Sequence, residues 1–315
     1  MDISIKDKVN GALFGYAIGD ALGVGTEFMT VHEVKRRYPQ GLTHYSQIIR
    51  DAHRSQWERG EVTNDTLFLC ILIESISACN GFDPKDYARR LREWYLTDPI
   101  DVTQPMRWVL SNEKYADDPF GEAEKTWAGM KVDEAPSDAL GRSLIIGMWG
   151  EDIRRNAEDS CRLTHVNSRC VASASIIAAM AHSLMWEEEP ANFDDLLQIA
   201  EETDKSAIPY IETAYYGKLE DFKLDDEETY WYARKAMGCA LWAVWHCDST
   251  MEAIYKIINS GGDSDTNASL AAGLLGLKYG VSGLDKTLLD GLVQRNELQM
   301  VADDFLSALE RKDKK

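Results

Sequence analysis

Small and apolar residues recur along this chain with the spacing of helices rather than strands. Residues 6–24 are broken by Gly11, Gly15, Gly19 and Gly23 at four-residue intervals. That interval puts the glycines near one helical face, where a second helix can approach closely. In a uniformly greasy segment the same spacing would mark a membrane dimer, but Asp7, Lys8 and Asp20 argue against that. Leu67–Ile73 is apolar on every side, as expected of a helix enclosed by others. The pattern predicts further helices at roughly 84–97, 170–186, 193–204, 229–247, 250–259, 266–279, 286–295 and 297–311. No alternating β-branched run predicts a strand. Residues 112–142 are the least periodic, polar and marked by Pro119 and Pro136, and read as a long functional loop. Without an internal repeat or a Pro- or Gly/Ser-rich linker, residues 1–315 are expected to form a single all-α domain.

Composition narrows the function. Lys and Arg total 34 against 53 Asp and Glu, a net charge of −19. Such a chain repels polyphosphate and disfavours a nucleic-acid platform or an anionic membrane surface. The six cysteines are scattered with no C-x-x-C pair. The uncharged run from Cys170 to Trp186 is too short and too rich in Ser and Ala for a membrane span. No signal peptide is legible at the start, so a cytoplasmic protein is expected. Oligomeric state is not legible, and a monomer is compatible with the pattern.

Two oxygen-rich clusters each precede an apolar helix. Gly261-Gly262-Asp263-Ser264-Asp265-Thr266 offers carboxylates and hydroxyls within a few residues, the donor type that hard divalent cations take. Helix N-termini also favour ionised carboxylates. The plain alternative is a double N-cap, since Asp, Ser and Thr are common caps. Thr63-Asn64-Asp65-Thr66 has the same character and the same alternative. Two such helix starts converging at one end of a bundle would build one oxygen-lined metal site. A third element is Gly19-Asp20-Ala21-Leu22-Gly23 followed by Glu27, where Asp20 alone reads as a turn brace.

Together these pieces resemble the ADP-ribosylglycohydrolases. Gly11 to Gly15, through Gly19–Gly23, to Glu27 is similar to that family's opening motif. Thr63–Thr66 is similar to its T-D-D-T motif, Gly261–Thr266 to its G-G-D-T-D-T motif, and Thr164-His165 to its T-H element. The resemblance implies a compact orthogonal helical domain with two Mg²⁺ ions, or Mn²⁺, in a cleft. It implies metal ligation by Thr63, Asn64, Asp65, Asp263, Asp265 and Thr266. It further implies catalytic roles for Glu27, Asp65 and Asp265, and substrate contacts from Gly141, Ser143, His165, Tyr232 and Gly262. Asn64 stands where the family has an aspartate, and Leu140-Gly141-Arg142-Ser143 departs from the family's Asn-Gly…Met-Arg loop.

The implied activity is hydrolysis of the bond between ADP-ribose and an acceptor, either a protein side chain such as arginine or serine, or a small molecule. Two other readings stay open: a hydrolase of another ribosyl or nucleotide compound, and a weakened ADP-ribose- or partner-binding protein. The remaining histidines, His32, His44, His53, His182 and His246, carry no comparable signal.

Overall fold

The computed structural model describes residues 3–130, 135–312 and 314. Among them are sixteen α-helices, short 3₁₀ turns and no strand beyond an isolated bridge between Pro136 and Tyr232. The all-α expectation holds.

Two helices buried along most of their length form the centre. The glycine helix (Ile5–Gly23) is buried from Lys8 to Gly23, and the Ser264 helix (Ser264–Tyr279) from Ser264 to Leu277. They run antiparallel with backbones in direct contact. A Cβ on Gly11 would lie 2.3 Å from the Gly276 carbonyl oxygen, and one on Gly19 2.6 Å from that of Ala268. The glycine stripe is therefore a seam between two helices of the same chain.

Around this pair pack the Asn64 helix (Asn64–Cys79), Gly141–Trp149, Ser168–His182, Ala233–His246 and Thr250–Ile258. Their apolar faces join one continuous core. The segment Ser168–Glu187 is long and apolar enough to cross a membrane by composition, yet 78% of its most apolar window is buried inside the fold.

Cations from neighbouring segments close several helix C-termini, where carbonyls lack intrahelical partners. Lys278 Nζ donates to the Val244 carbonyl at 2.9 Å, and Arg311 to that of Ser77 at 3.1 Å. Lys8 Nζ reaches the Leu184 and Met185 carbonyls at 3.1 and 2.9 Å. Lys312 reaches that of Trp149.

The expected long loop is corrected. Pro119–Gly129 is a helix with Asp118 at its N-cap and Pro119 in its first turn. The proline starts this helix instead of breaking it, because the first turn needs no N–H. Residues 131–134 of that segment lie outside the described residues. Short helices at Val31–Arg37, Gln104–Leu110, Gly141–Trp149, Ile153–Arg162 and Ile208–Tyr216 are likewise additions to the predicted set. The helix expected from 229 begins at Ala233.

Candidate active site

The C-terminal end of the glycine helix and the N-terminal ends of the Ser264 and Asn64 helices meet at one end of the core. Asp20 makes the first junction. Its Oδ2 accepts from the Thr63 and Thr66 amides at 3.0 and 3.2 Å and from Thr66 Oγ1 at 2.5 Å. Asp20 thus caps a helix from outside it. Burial raises its pKa to about 6 against the lowering effect of these hydrogen bonds.

The second junction uses Ser264, whose Oγ donates to the Gly23 carbonyl at 2.9 Å and accepts from Thr26 Oγ1 at 3.0 Å. Gly262 and the turn after the glycine helix exchange backbone bonds: Phe28 N to Gly262 O at 2.8 Å, and Gly262 N to Met29 O at 2.9 Å. Gly262 has φ +73°, and a Cβ there would sit 1.9 Å from the Leu224 carbonyl oxygen. Only glycine fits.

These junctions leave a cavity of about 280 Å³, lined by Glu27, Phe28, Asn64, Asp65, Asp101, Ser137, Asp138, Tyr230, Trp231, Asp263, Asp265 and Thr266 among others. Carboxylate oxygens of Glu27, Asp263 and Asp265 lie within 4.8 Å of one another. Thr266 Oγ1 donates to Asp65 Oδ2 at 2.7 Å and ties the two oxygen-rich motifs together. Asp263 occupies an N-cap position but makes no capping bond; it accepts instead from Ser137 Oγ at 2.8 Å. The capping alternative therefore fails for Asp263. It holds for Thr63, whose hydroxyl accepts from the Asp65 amide at 3.2 Å.

Burial and like charge dominate the electrostatics. Burial pushes Asp263 up to about 7, opposed by the Ser137 hydrogen bond and assisted by Glu27. Asp65 and Asp265 are raised well above the usual carboxylate range, first by burial and then by neighbouring carboxylates. Asp101 is lifted to about 7, by burial and by Glu27. Buried carboxylates crowded this closely are costly unless a cation joins them. The set is all oxygen, so Glu27, Asp263 and Asp265 can hold a hard divalent ion, with Asp65, Asn64 and Thr266 beside them.

Several expected residues are not brought to this cleft. Gly141 and Ser143 are buried in the first turn of their helix, where a Cβ on Gly141 would lie 2.4 Å from Tyr16 Oη. From that segment Ser137 and Asp138 face the cleft instead. His165 is fully buried, 3.4 Å behind Asp138. Tyr232 is the N-cap of Ala233–His246, and its neighbours Tyr230 and Trp231 line the cavity in its place. Gly262 and Thr63 act through backbone and capping, outside the lining.

His53 is the residue that sequence reading passed over. Its Nε2 lies 2.7 Å from Glu27 Oε2, and that hydrogen bond raises the His53 pKa despite partial burial. Arg54 fixes this contact by donating to the Gly25 carbonyl at 2.9 Å and to that of Glu27. Phe28, beside Glu27, is 52% exposed and held at φ +59°, a strained conformation for a bulky residue.

An all-α core here gathers acidic helix ends into one oxygen-lined cleft. The chain matches the ADP-ribosylglycohydrolase family over residues 1–315 and belongs to it. It is 24% identical to an ADP-ribosylarginine hydrolase, Tri1, of Serratia proteamaculans, over 95% of this chain and 79% of that protein. It is equally 24% identical to the ADP-ribosyl-[dinitrogen reductase] glycohydrolase of Rhodospirillum rubrum, over 94% of each. A solved ADP-ribosylglycohydrolase-related protein complex shares the fold, with a TM-score of 0.75 over 97% of this chain and 99% of that one, at 24% identity.

Proposed function

We propose that this protein is a Mg²⁺-dependent hydrolase that cleaves the glycosidic bond between ADP-ribose and an acceptor. The acceptor is a protein side chain such as arginine or serine, or a small molecule. The observation that carries the reading is the convergence of Glu27, Asp65, Asp263, Asp265 and Thr266 on one cavity from separate helix ends. The names of the relatives support the class of bond.

Glu27, Asp263 and Asp265 would hold one ion, and Asp65, Asn64 and Thr266 a second with less charge, because Asn64 is neutral. When bound, Mg²⁺ or Mn²⁺ supplies Lewis acidity and lowers the pKa of water. The chain's own residues do the rest. Cleavage at an anomeric carbon develops positive charge on the sugar, which the surrounding carboxylates stabilise. Glu27, oriented through one oxygen by His53, is placed to move a proton. Ser137 fixes the Asp263 carboxylate, and Phe28, Tyr230 and Trp231 give the lining its aromatic surface.

Six free thiols fit a reducing, cytoplasmic setting. The test is a panel of arginine-, serine- and small-molecule-linked ADP-ribose conjugates, with release of free ADP-ribose followed with and without EDTA. Release from one conjugate class that EDTA stops and Mg²⁺ restores supports the reading. No release from any conjugate rejects it. Asn64 in the lining favours one alternative, a weakened binding protein, which absence of Mg²⁺ binding by calorimetry would support.

A further inference from the structure

Behind the wall that carries Ser137 lies a run of polar groups that the hydrolytic reading leaves unused. Asp138 lines the cavity although only 7% of its side chain is exposed. Its Oδ2 stands 3.4 Å from Nε2 of the fully buried His165. On the far side of the ring, Nδ1 lies 2.9 Å from Thr164 Oγ1. Arg142 Nη1 donates to that same oxygen at 2.8 Å and to the Ser160 carbonyl at 2.9 Å.

A threonine hydroxyl has one proton to give. With arginine on a lone pair, donation to Nδ1 satisfies that proton, and the ring proton then sits on Nε2, aimed at Asp138. At 3.4 Å this contact is longer than a made hydrogen bond, and Nε2 has no other partner among the described residues. A fully buried donor in that position is costly unless a carboxylate answers it. Arg142 is itself fully buried, flanked by the Phe68 and Tyr87 rings at 5.6 Å and without an ion pair among the described residues. The run Arg142–Thr164–His165–Asp138 thus links a buried cation to one carboxylate at the cavity wall.

We propose that Asp138 is a specificity-determining residue that accepts a hydrogen bond from a substrate sugar hydroxyl, and that His165 is a positioning residue acting through it. The inference rests on the ribosyl-hydrolase reading of the cavity and moves the expected substrate contact from His165 to Asp138. A carboxylate offers acceptors only, so this wall takes a hydroxyl and turns away a phosphate. The diphosphate of an ADP-ribosyl substrate therefore lies away from Asp138.

The test uses adenosine, a ribose carrier without phosphate, and ADP-ribose, each titrated calorimetrically at fixed Mg²⁺ into wild type, Asp138→Asn, His165→Gln and the double variant. Asp138→Asn is expected to weaken adenosine about tenfold, as for loss of a charge-assisted hydrogen bond, a readout that long-range charge does not move for a neutral ligand. It should also raise the ratio of ADP-ribose to adenosine affinity. His165→Gln should shift both in the same direction by less, and the double variant should lose no more than Asp138→Asn alone. If His165→Gln does not fold, Thr164→Val replaces it, because it removes the hydroxyl that sets the tautomer.

Adenosine affinity unchanged within about twofold in Asp138→Asn, or single losses that add in the double variant, overturns the inference while leaving the functional reading in place. Failure of wild type and all variants to bind either ligand overturns both.

Discussion

The two central helices are built on opposite principles at their two ends. From Gly11 to Gly19 the glycine helix lies backbone to backbone on the Ser264 helix, with contacts so close that no Cβ fits. A few residues on, past the Gly23–Asp265 contact, the starts of the Ser264 and Asn64 helices border a cavity whose lining, among the described residues, holds six carboxylates, Glu27, Asp65, Asp101, Asp138, Asp263 and Asp265, and neither Lys nor Arg. The seam is dry, close-packed and electrically quiet. The cavity gathers like charges that repel. The contrast teaches that rigidity at one end lets unfavourable electrostatics persist at the other, because the helix starts cannot drift apart to relieve them.

The largest expected effect lies in the cavity. Asp263→Ala with Asp265→Ala should lower Mg²⁺-dependent hydrolysis by about a thousandfold or more, roughly 4 kcal/mol. The melting temperature of the metal-free protein should hold or rise, since repulsion is removed. Full activity in the folded double variant would falsify the assignment. Next, Gly19→Val should cost about 3 kcal/mol through overpacking of the seam, read as a drop in the denaturant midpoint. A stability within 1 kcal/mol of wild type would show that the two helices can separate, which breaks the comparison.

A pH series sharpens it. Asp263 is raised to about 7 in the folded state, so the folded protein binds more protons there than the unfolded chain. This group's contribution to stability is full near pH 4, is lost as pH climbs toward 7, and is flat above. Thermal melts of metal-free wild type should therefore fall more steeply across that window than those of Asp263→Asn, and added Mg²⁺ should flatten the wild-type curve. Parallel curves would show that the crowding is already relieved.

His53→Ala should reduce kcat about tenfold with little change in melting temperature, because it frees the Glu27 carboxylate without touching the core. An unchanged kcat would remove His53 from the site. Lys312→Met, which leaves the Trp149 carbonyl without its cation, should cost only about 0.5–1 kcal/mol, measurable as a small denaturant shift.

The seam and the oxygen-rich helix starts were legible because each has local form: glycines every four residues, and donors packed into four or six positions before an apolar run. Spacing identified the surface that Gly11 and Gly19 share, and the motif order matched the convergence of Asp65 with Asp263 and Asp265. What escaped is set by contacts remote in sequence. Ser137 and Asp138 follow no period; they reach the wall because the Ala233 amide donates to the Ala135 carbonyl at 2.7 Å and Pro136 bridges to Tyr232. The resemblance points within the same segment to Gly141 and Ser143, whose positions in a buried helix turn only packing reveals. His53 stands just before the short 3₁₀ turn Arg54–Gln56 with no motif around it, and the Arg54 clamp on Gly25 and Glu27, with the Phe28 and Trp57 rings, brings it in. Pro119 falls in the stretch that the pattern assigns to a loop, whereas Asp118 before it makes it a helix start.

The cations at the helix ends carry a consequence for kinetics. Lys8 is buried, Lys278 and Lys312 are half-buried, and all three have their ammonium groups against main-chain carbonyls. They face inward from a basic complement of 34 that 53 acids already outnumber. The field that an approaching molecule meets is set by that excess of acids, to which the carboxylates of the cavity lining add at the site itself. An anionic ligand climbs that potential before it reaches any ion or helix start able to hold it. Its association rate should rise with ionic strength, the reverse of an electrostatically steered encounter, while dissociation from the enclosed cavity changes far less.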